Sequence, residues 1–265
     1  MRLILNQLGR LPSRIKTAWV IAIYELRTRF AGTALGPLWV MLLPLSQIVT
    51  YWFVFSVGFK IQTLGTVPFI LYFLSGFAVW TFFSEAVISS IGVVTSSPHL
   101  VKKVVFPVEV MVITKIFVSG ITHLIIVLLT LVAMLVEGRT PVVDLMSLVY
   151  FWIGAALLAS GLGWALAAFN VFFRDIGQAA SVLVGMWFWF TPVVWTIDSI
   201  PEHLRGWLYL NPMVYIVEGY RAALFGTPLT VSSWLGWYFW AVALCVFGFG
   251  ALLFRRLKPE FAELL

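Results

Sequence analysis

Long apolar runs separated by short polar breaks dominate this sequence. Six runs reach the length of a membrane span: Leu38–Phe59, Val67–Ile91, Val108–Val136, Leu145–Phe172, Ile176–Trp195 and Ser232–Phe254. As a helix, Leu38–Phe59 is about 33 Å long, enough to cross a hydrocarbon core of roughly 30 Å. Pro44 and Pro192 fall inside two runs, where neighbouring helices can satisfy the carbonyls that proline frees. Ahead of the first span, Ser13 to Arg29 reads as a helix with Ile15, Trp19, Ile23 and Leu26 at spacings of three and four. Its apolar centre, Ala18 to Ile23, is too short to cross. An interfacial helix is expected instead, with Arg14, Lys16, Arg27 and Arg29 turned to anionic headgroups.

Two breaks between runs carry their own patterns. Ile91 to Glu109 holds Ser96, Ser97 and Pro98, a helix start, followed by Leu100, Val101, Val104 and Val105 on one side and the pair Lys102 and Lys103. It reads either as a short amphipathic docking helix for a second protein or as a plain lysine-bearing turn. The segment Ile197 to Val231 is punctuated by Asp198, Pro201, Asn211-Pro212 and Gly226-Thr-Pro228, yet Trp207–Leu210 and Met213–Leu224 stay apolar. That pattern predicts two short helices dipping into the outer face, with an aromatic-anchored loop as the alternative. Glu218 and Arg221, three apart, share a helical face and can pair.

Composition agrees with the pattern. Hydrophobic residues make up 62% and charged residues 11% of 265, and the mean hydropathy is +1.01, which excludes a soluble domain. The net charge of +6 reads as cations kept on the cytoplasmic side rather than as a nucleic-acid footprint. With the N-terminus inside, twelve cations fall on that side (Arg2, Arg10, Arg14, Lys16, Arg27, Arg29, Lys102, Lys103, Arg174, Arg255, Arg256, Lys258) and four outside (Lys60, Arg139, Arg205, Arg221). Both termini are thus expected in the cytoplasm. One cysteine, Cys245, gives no disulfide framework and no zinc spacing. Met1 to Ile15 lacks the profile of a cleaved leader, and no internal repeat is evident.

The sequence holds no phosphate-binding loop, dinucleotide fingerprint or HExxH. Work driven by ATP therefore needs another polypeptide. Within the spans, Glu85 and Lys115 come to a similar depth on consecutive antiparallel helices and are expected to form a buried pair. A proton relay through His123 is the alternative for these groups. Ser119, four residues before His123, has no orienting carboxylate to make it a nucleophile. Thirteen Trp and an aromatic content of 17% exceed an interface belt. Trp187, Phe188, Trp189, Phe190 and Trp195 crowd one span, and Trp39, Tyr51, Trp52 and Phe53 mark the first. Such rings suit the C–H faces of sugars, and equally suit helix packing.

Four strings, spread in order over nearly the whole chain, resemble the permease subunit of ABC-2 type exporters of the polysaccharide and O-antigen branch. They are YELRTRFAGTALGPLWVMLLPL (Tyr24 to Leu45), PHLVKKVVFPVEV (Pro98 to Val110), FNVFFRDIGQAASVLVGMWFWFTPVVW (Phe169 to Trp195) and LNPMVYIVEGYRAALFG (Leu210 to Gly226). The resemblance implies an all-α integral membrane protein. Its single domain over 1–265 would have six transmembrane helices, an N-terminal interfacial gate helix within 1–37 and two outer re-entrant half-helices within 197–231. It implies a half-channel: two copies of the chain with two separate ATP-binding cassette subunits, which hold the ATP and magnesium, so that no cofactor belongs to this chain. By position, His99, Leu100, Val101, Lys102, Lys103 and Val104 would enter the ATPase. Glu25, Arg27 and Arg29 would belong to the gate helix, and Arg174 with Asp175 would form a tight cytoplasmic turn. The aromatics of the first and fifth spans would line the pore, and Asn211, Pro212, Glu218 and Arg221 would form the outer gate.

The substrate implied is an undecaprenyl-pyrophosphate-linked glycan crossing a bacterial inner membrane, with capsular polysaccharide or teichoic acid as alternatives. Because the sequence stops shortly after Lys258, no appended carbohydrate-binding domain is expected. An ABC-2 exporter of drugs or small lipids, a proton-coupled carrier using Glu85, Lys115 and His123, and a membrane enzyme are the competing readings.

Overall fold

The computed structural model describes residues 11–101, 107–229 and 231–264. The amphipathic segment is helix α1, Leu11–Arg29, followed by a turn and helix α2, Trp39–Trp52, which ends in a π-helical stretch, Phe53–Gly58. A two-residue hairpin, β1 (Thr63–Leu64) with β2 (Val67–Pro68), pairs Thr63 with Pro68 and leads into α3, Phe69–Ile91. One turn, α4 (Pro98–Val101), precedes α5 (Val110–Val136), α6 (Leu145–Phe172) and α7 (Asp175–Trp189). Two shorter helices, α8 (Glu202–Leu208) and α9 (Pro212–Phe225), come before the long α10, Ser233–Leu264.

Among the described residues, five helical segments are long and apolar enough to cross a membrane: Gly36–Gly58, Phe69–Ile91, Val110–Val136, Leu145–Phe172 and Ser233–Phe261. The expected fifth span, Ile176–Trp195, is instead a shorter helix. Helix α7 has 15 residues, about 22 Å. Pro192, which cannot donate a backbone hydrogen bond, lies in the turn that follows.

Helix α3 is the axis of the bundle. It packs against α5, α6 and α9, and more lightly against α2 and α7. Small residues at Ser75, Gly76 and Ala78 admit neighbours, while Phe69, Phe73 and Phe77 stack in series at 5.9 and 4.9 Å. Helix α1 lies against α5 on a stripe that the sequence reading did not single out: Ala18 and Ala22 are fully buried, whereas Ile15 and Trp19, on the face expected toward lipid, remain half exposed. Alanines let the two backbones approach, and the larger side chains stay free for lipid.

Helices α6 and α10 meet more closely still. A Cβ on Gly250 would stand 2.0 Å from the Gly161 carbonyl oxygen, and one on Gly161 would stand 2.6 Å from the Phe247 backbone. Helix α6 begins at Asp144, whose Oδ1 accepts from the amides of Met146 and Ser147 at 3.1 and 3.2 Å. Bonds from the Ser147 hydroxyl and amide hold its carboxyl below the usual aspartate range. The cap is therefore complete above that range and fades only as pH falls through the lowered value. The protection of the Met146 and Ser147 amides, measured as exchange relative to the intrinsic rate at each pH, should be lost only on such acidification.

Gly250→Val should force α6 and α10 apart at a cost of about 1–3 kcal/mol or more. A lowered unfolding temperature in detergent reads this directly. Gly248, with open space at its Cβ, should accept alanine with little change.

Candidate functional site

On one flank a cavity of about 510 Å³ opens between α2, α3 and α7. Helices α2 and α7 are thinly covered: only Pro44 and Ile48 of α2, and Ala180, Val184 and Phe188 of α7, are buried. Tyr51, Phe188 and Trp189 form an aromatic wall, with Tyr51 at 5.5 Å from Phe188 and 6.5 Å from Trp189 between ring centroids. Helix α3 adds Phe77 and Trp80, then a polar row of Thr81, Ser84 and Glu85, and α2 adds Gln47. The Thr81 hydroxyl is buried without a partner among the described residues. Ring faces beside hydroxyl and amide groups offer many weak contacts and no single tight one.

Arg29 stands at the end of this groove where the chain concentrates its cations. Its Nη1 donates to Glu85 Oε1 at 2.8 Å. One helical turn earlier, Glu25 accepts from Lys115 Nζ at 2.5 Å. Glu85 and Lys115 therefore do not form the expected pair with each other. Helix α1 inserts a residue of opposite sign toward each, and Glu25 and Arg29 are four apart on one face. Two ion pairs thus fasten the last turn of α1 to α3 and α5.

At the other end of the groove, α7 gives way to a turn whose carbonyls need donors. Arg221 supplies them. Its Nη2 donates to the carbonyls of Pro192 and Val193, its Nη1 to Glu218, and its guanidinium lies 3.5 Å over the Tyr72 ring. The side chains of Arg221 and Glu218 are 6% and 12% exposed. Gly76 makes the room: a Cβ there would meet Arg221 Nη2 at 3.0 Å. Asn211 holds the same turn from its other side. Its Oδ1 caps α9 through the Met213 amide and accepts from Trp187 Nε1, while its Nδ2 donates to Phe190 O and Thr191 Oγ1. Pro212 occupies the first helical position, and Gly226, at φ +60°, ends α9.

His123 is buried between these regions. Nδ1 faces the Ala78 carbonyl at 3.1 Å and Nε2 faces the Tyr220 hydroxyl at 3.2 Å. A carbonyl only accepts, so Nδ1 carries the hydrogen and Nε2 accepts from tyrosine. Both ring nitrogens are occupied in joining α3, α5 and α9, which leaves Ser119 without a bond to them. Among the described residues no His, Cys, Asp or Glu cluster suits a metal ion.

The family profile of the ABC-2 type transporters matches residues 17–225, a stretch that runs from α1 through both ends of the groove to the last residue of α9. The chain belongs to the ABC-2 type transporter family. Among curated relatives, this ABC-2 chain is 27% identical over 252 residues to the O-antigen export system permease protein RfbA of Klebsiella pneumoniae, covering 93% of each chain. It is 29% identical over 248 residues to RfbA of Myxococcus xanthus, covering 90% of this chain and 91% of the other. It is 22% identical over 245 residues to the polysialic acid transport protein KpsM of Escherichia coli, covering 92% and 94%.

Within this ABC-2 chain the aromatics expected to act together divide. Tyr51, Phe188 and Trp189 face the groove, and Trp39 lines a smaller apolar cleft beside it. Trp187 turns inward, edge-on to Phe83 and hydrogen-bonded to Asn211. Trp52, Phe53 and Phe190 are exposed, and Trp195 donates to the Trp189 carbonyl. Arg27, Arg174 and Asp175 are exposed, the last two where α6 turns into α7. His99 is exposed on α4; Lys102, Lys103 and Val104 lie outside the described residues, as do the side chains of Leu100 and Val101. Of the polar row on α3 the sequence reading singled out Glu85 alone; Thr81 and Ser84 were missed, though the three recur at helical spacing.

Arg221→Met should leave the Glu218 charge and two carbonyls without their donor. A loss of about 3–5 kcal/mol is expected, the usual cost of breaking one side of a buried pair. Equilibrium unfolding in detergent measures it, and adding Glu218→Gln should recover part of the loss.

Proposed function

We propose that this chain is the membrane-spanning subunit of an ATP-driven polysaccharide exporter of a bacterial inner membrane, acting as two copies with two ATP-binding cassette subunits. The groove is the observation that carries the reading. It is an aromatic and hydroxyl-lined half-conduit, open along the flank where α2 and α7 lack cover. A second copy set against that flank closes it. The sugar's C–H faces rest on Tyr51, Phe188 and Trp189, and its hydroxyls exchange bonds with Gln47 and Ser84. None of these contacts traps a passing chain.

In this reading α7 and the turn after it make the fifth of six spans, with α8 and α9 dipping back into the outer face, and both termini are cytoplasmic. The excess of cations at the α1, α4 and α10 end supports that orientation. The ATPase docks on the cytoplasmic stretch around α4, and ATP hydrolysis belongs to that subunit. The substrate is a lipid-linked glycan of the O-antigen kind, a reading that the names of the relatives support. Capsular polysaccharide is the second reading, favoured by the relative named for polysialic acid; teichoic acid is a third. A proton-driven carrier loses support because His123 is engaged at both nitrogens and Glu85 and Lys115 are each paired to α1.

Reconstituted alone in liposomes, the chain should move no glycan uphill; with its ATPase and ATP, a lipid-linked glycan should cross. Uphill movement by the chain alone, on a proton gradient, would overturn the proposal. Trp189→Ala should slow glycan export several-fold with the ATPase still bound, through loss of a groove face. Trp187→Ala should act chiefly on stability, because its ring packs inward. Export assays paired with unfolding curves separate the two.

A further inference from the structure

Helix α10 is far longer than a crossing requires. Its 32 residues extend about 48 Å against a core of roughly 30 Å. The surplus lies at the basic end and touches α4. There a second apolar cluster, separate from the main core, joins Val93 and Val94 ahead of α4, Val108 and Val112 after it, Trp164 of α6, and Phe254 and Phe261 of α10.

Glu109, the residue ahead of α5, borders this cluster. Lys258 Nζ donates to both its carboxylate oxygens, at 3.0 and 3.2 Å, and Trp164 Nε1 donates to its carbonyl at 3.1 Å. One to two turns further along α5, another face receives α1. Thr114 bonds the Ala18 carbonyl, Lys115 pairs with Glu25, and Phe117 meets Trp19 edge-on at 5.6 Å. The start of α5 is therefore held on one side by the stretch flanking α4 and on the other by α1, whose Arg29 guards the groove.

We infer that Lys258 and Glu109 are positioning residues for energy coupling. The tail of α10 is a fixed strut, the Glu109–Lys258 pair sets the angle at which α5 leaves the α4 stretch, and the first two turns of α5 carry movement of that stretch to α1. The inference rests on the exporter reading, since it needs a cytoplasmic partner to push. The pair is partly exposed, at 21% and 35%, so it contributes little to stability. Its value is geometric: it holds a carboxylate with both oxygens, on a residue whose carbonyl is also fixed.

The test uses the full chain with its ATPase subunit in proteoliposomes, measuring ATP hydrolysed and lipid-linked glycan exported in the same preparation. Lys258→Met and Glu109→Gln should each keep the hydrolysis rate within about twofold while export per ATP falls by about threefold or more. The exchanged pair Glu109→Lys with Lys258→Glu should restore most of that ratio. An unchanged ratio in both single variants overturns the inference, as does an exchanged pair that folds and hydrolyses ATP but recovers nothing. Should a single variant fail to assemble, the exchanged pair alone decides. A wild-type complex that exports no glycan with ATP would sink the exporter reading, an outcome distinct from wild-type export with unaltered variants.

Discussion

A helix that stops inside an apolar bundle leaves carbonyls that water cannot reach, and this fold answers that need with one guanidinium. Arg221 bridges the turn after α7, the side of α9 and the ring of Tyr72 on α3. Its charge is offset by Glu218 one turn away, so neither ion is buried alone. Without this arrangement Pro192 would have no tolerable place, and α7 would have no reason to end where the groove opens outward. The short α7, the inward α9 and the glycine at position 76 all follow from it.

The remainder of the chain sorts by how much cover each helix has. Helix α3 is enclosed and supplies the groove's polar row; α2 and α7 supply its walls and stay largely bare. A chain that buries its second span and exposes its first is built around a surface it cannot complete. The two ion pairs on α1 close one end of that surface, and the Asn211 and Arg221 contacts organise the other. Function in an ABC-2 transporter chain of this kind depends on which of these holdings can give way.

Long spans, the start of α9 at Asn211-Pro212 and its stop at Gly226 were legible because each depends on residues adjacent in sequence. Pairing of Glu218 with Arg221 was legible for the same reason. Partners brought together by the fold were not. Depth along the spans paired Glu85 with Lys115 but was blind to α1, which lies beside both and supplies the charge that each one meets. The Ala18 and Ala22 stripe was hidden because small residues announce close packing only when the facing helix is known. Likewise Trp187 and Trp189, two apart on one helix, point to different surroundings. Composition counts both as aromatic, and only rotation about the α7 axis separates the packing ring from the groove ring.

The contact of Gly161 with Gly250 is backbone on backbone, with no side chain between them at that crossing to slide or repack. Those two helices therefore behave as a single plank. Any cycle of opening must hinge elsewhere, at the thinly covered α2 and α7 or along the seam where α1 rides on α5. In an exporter those two helices would travel as one body.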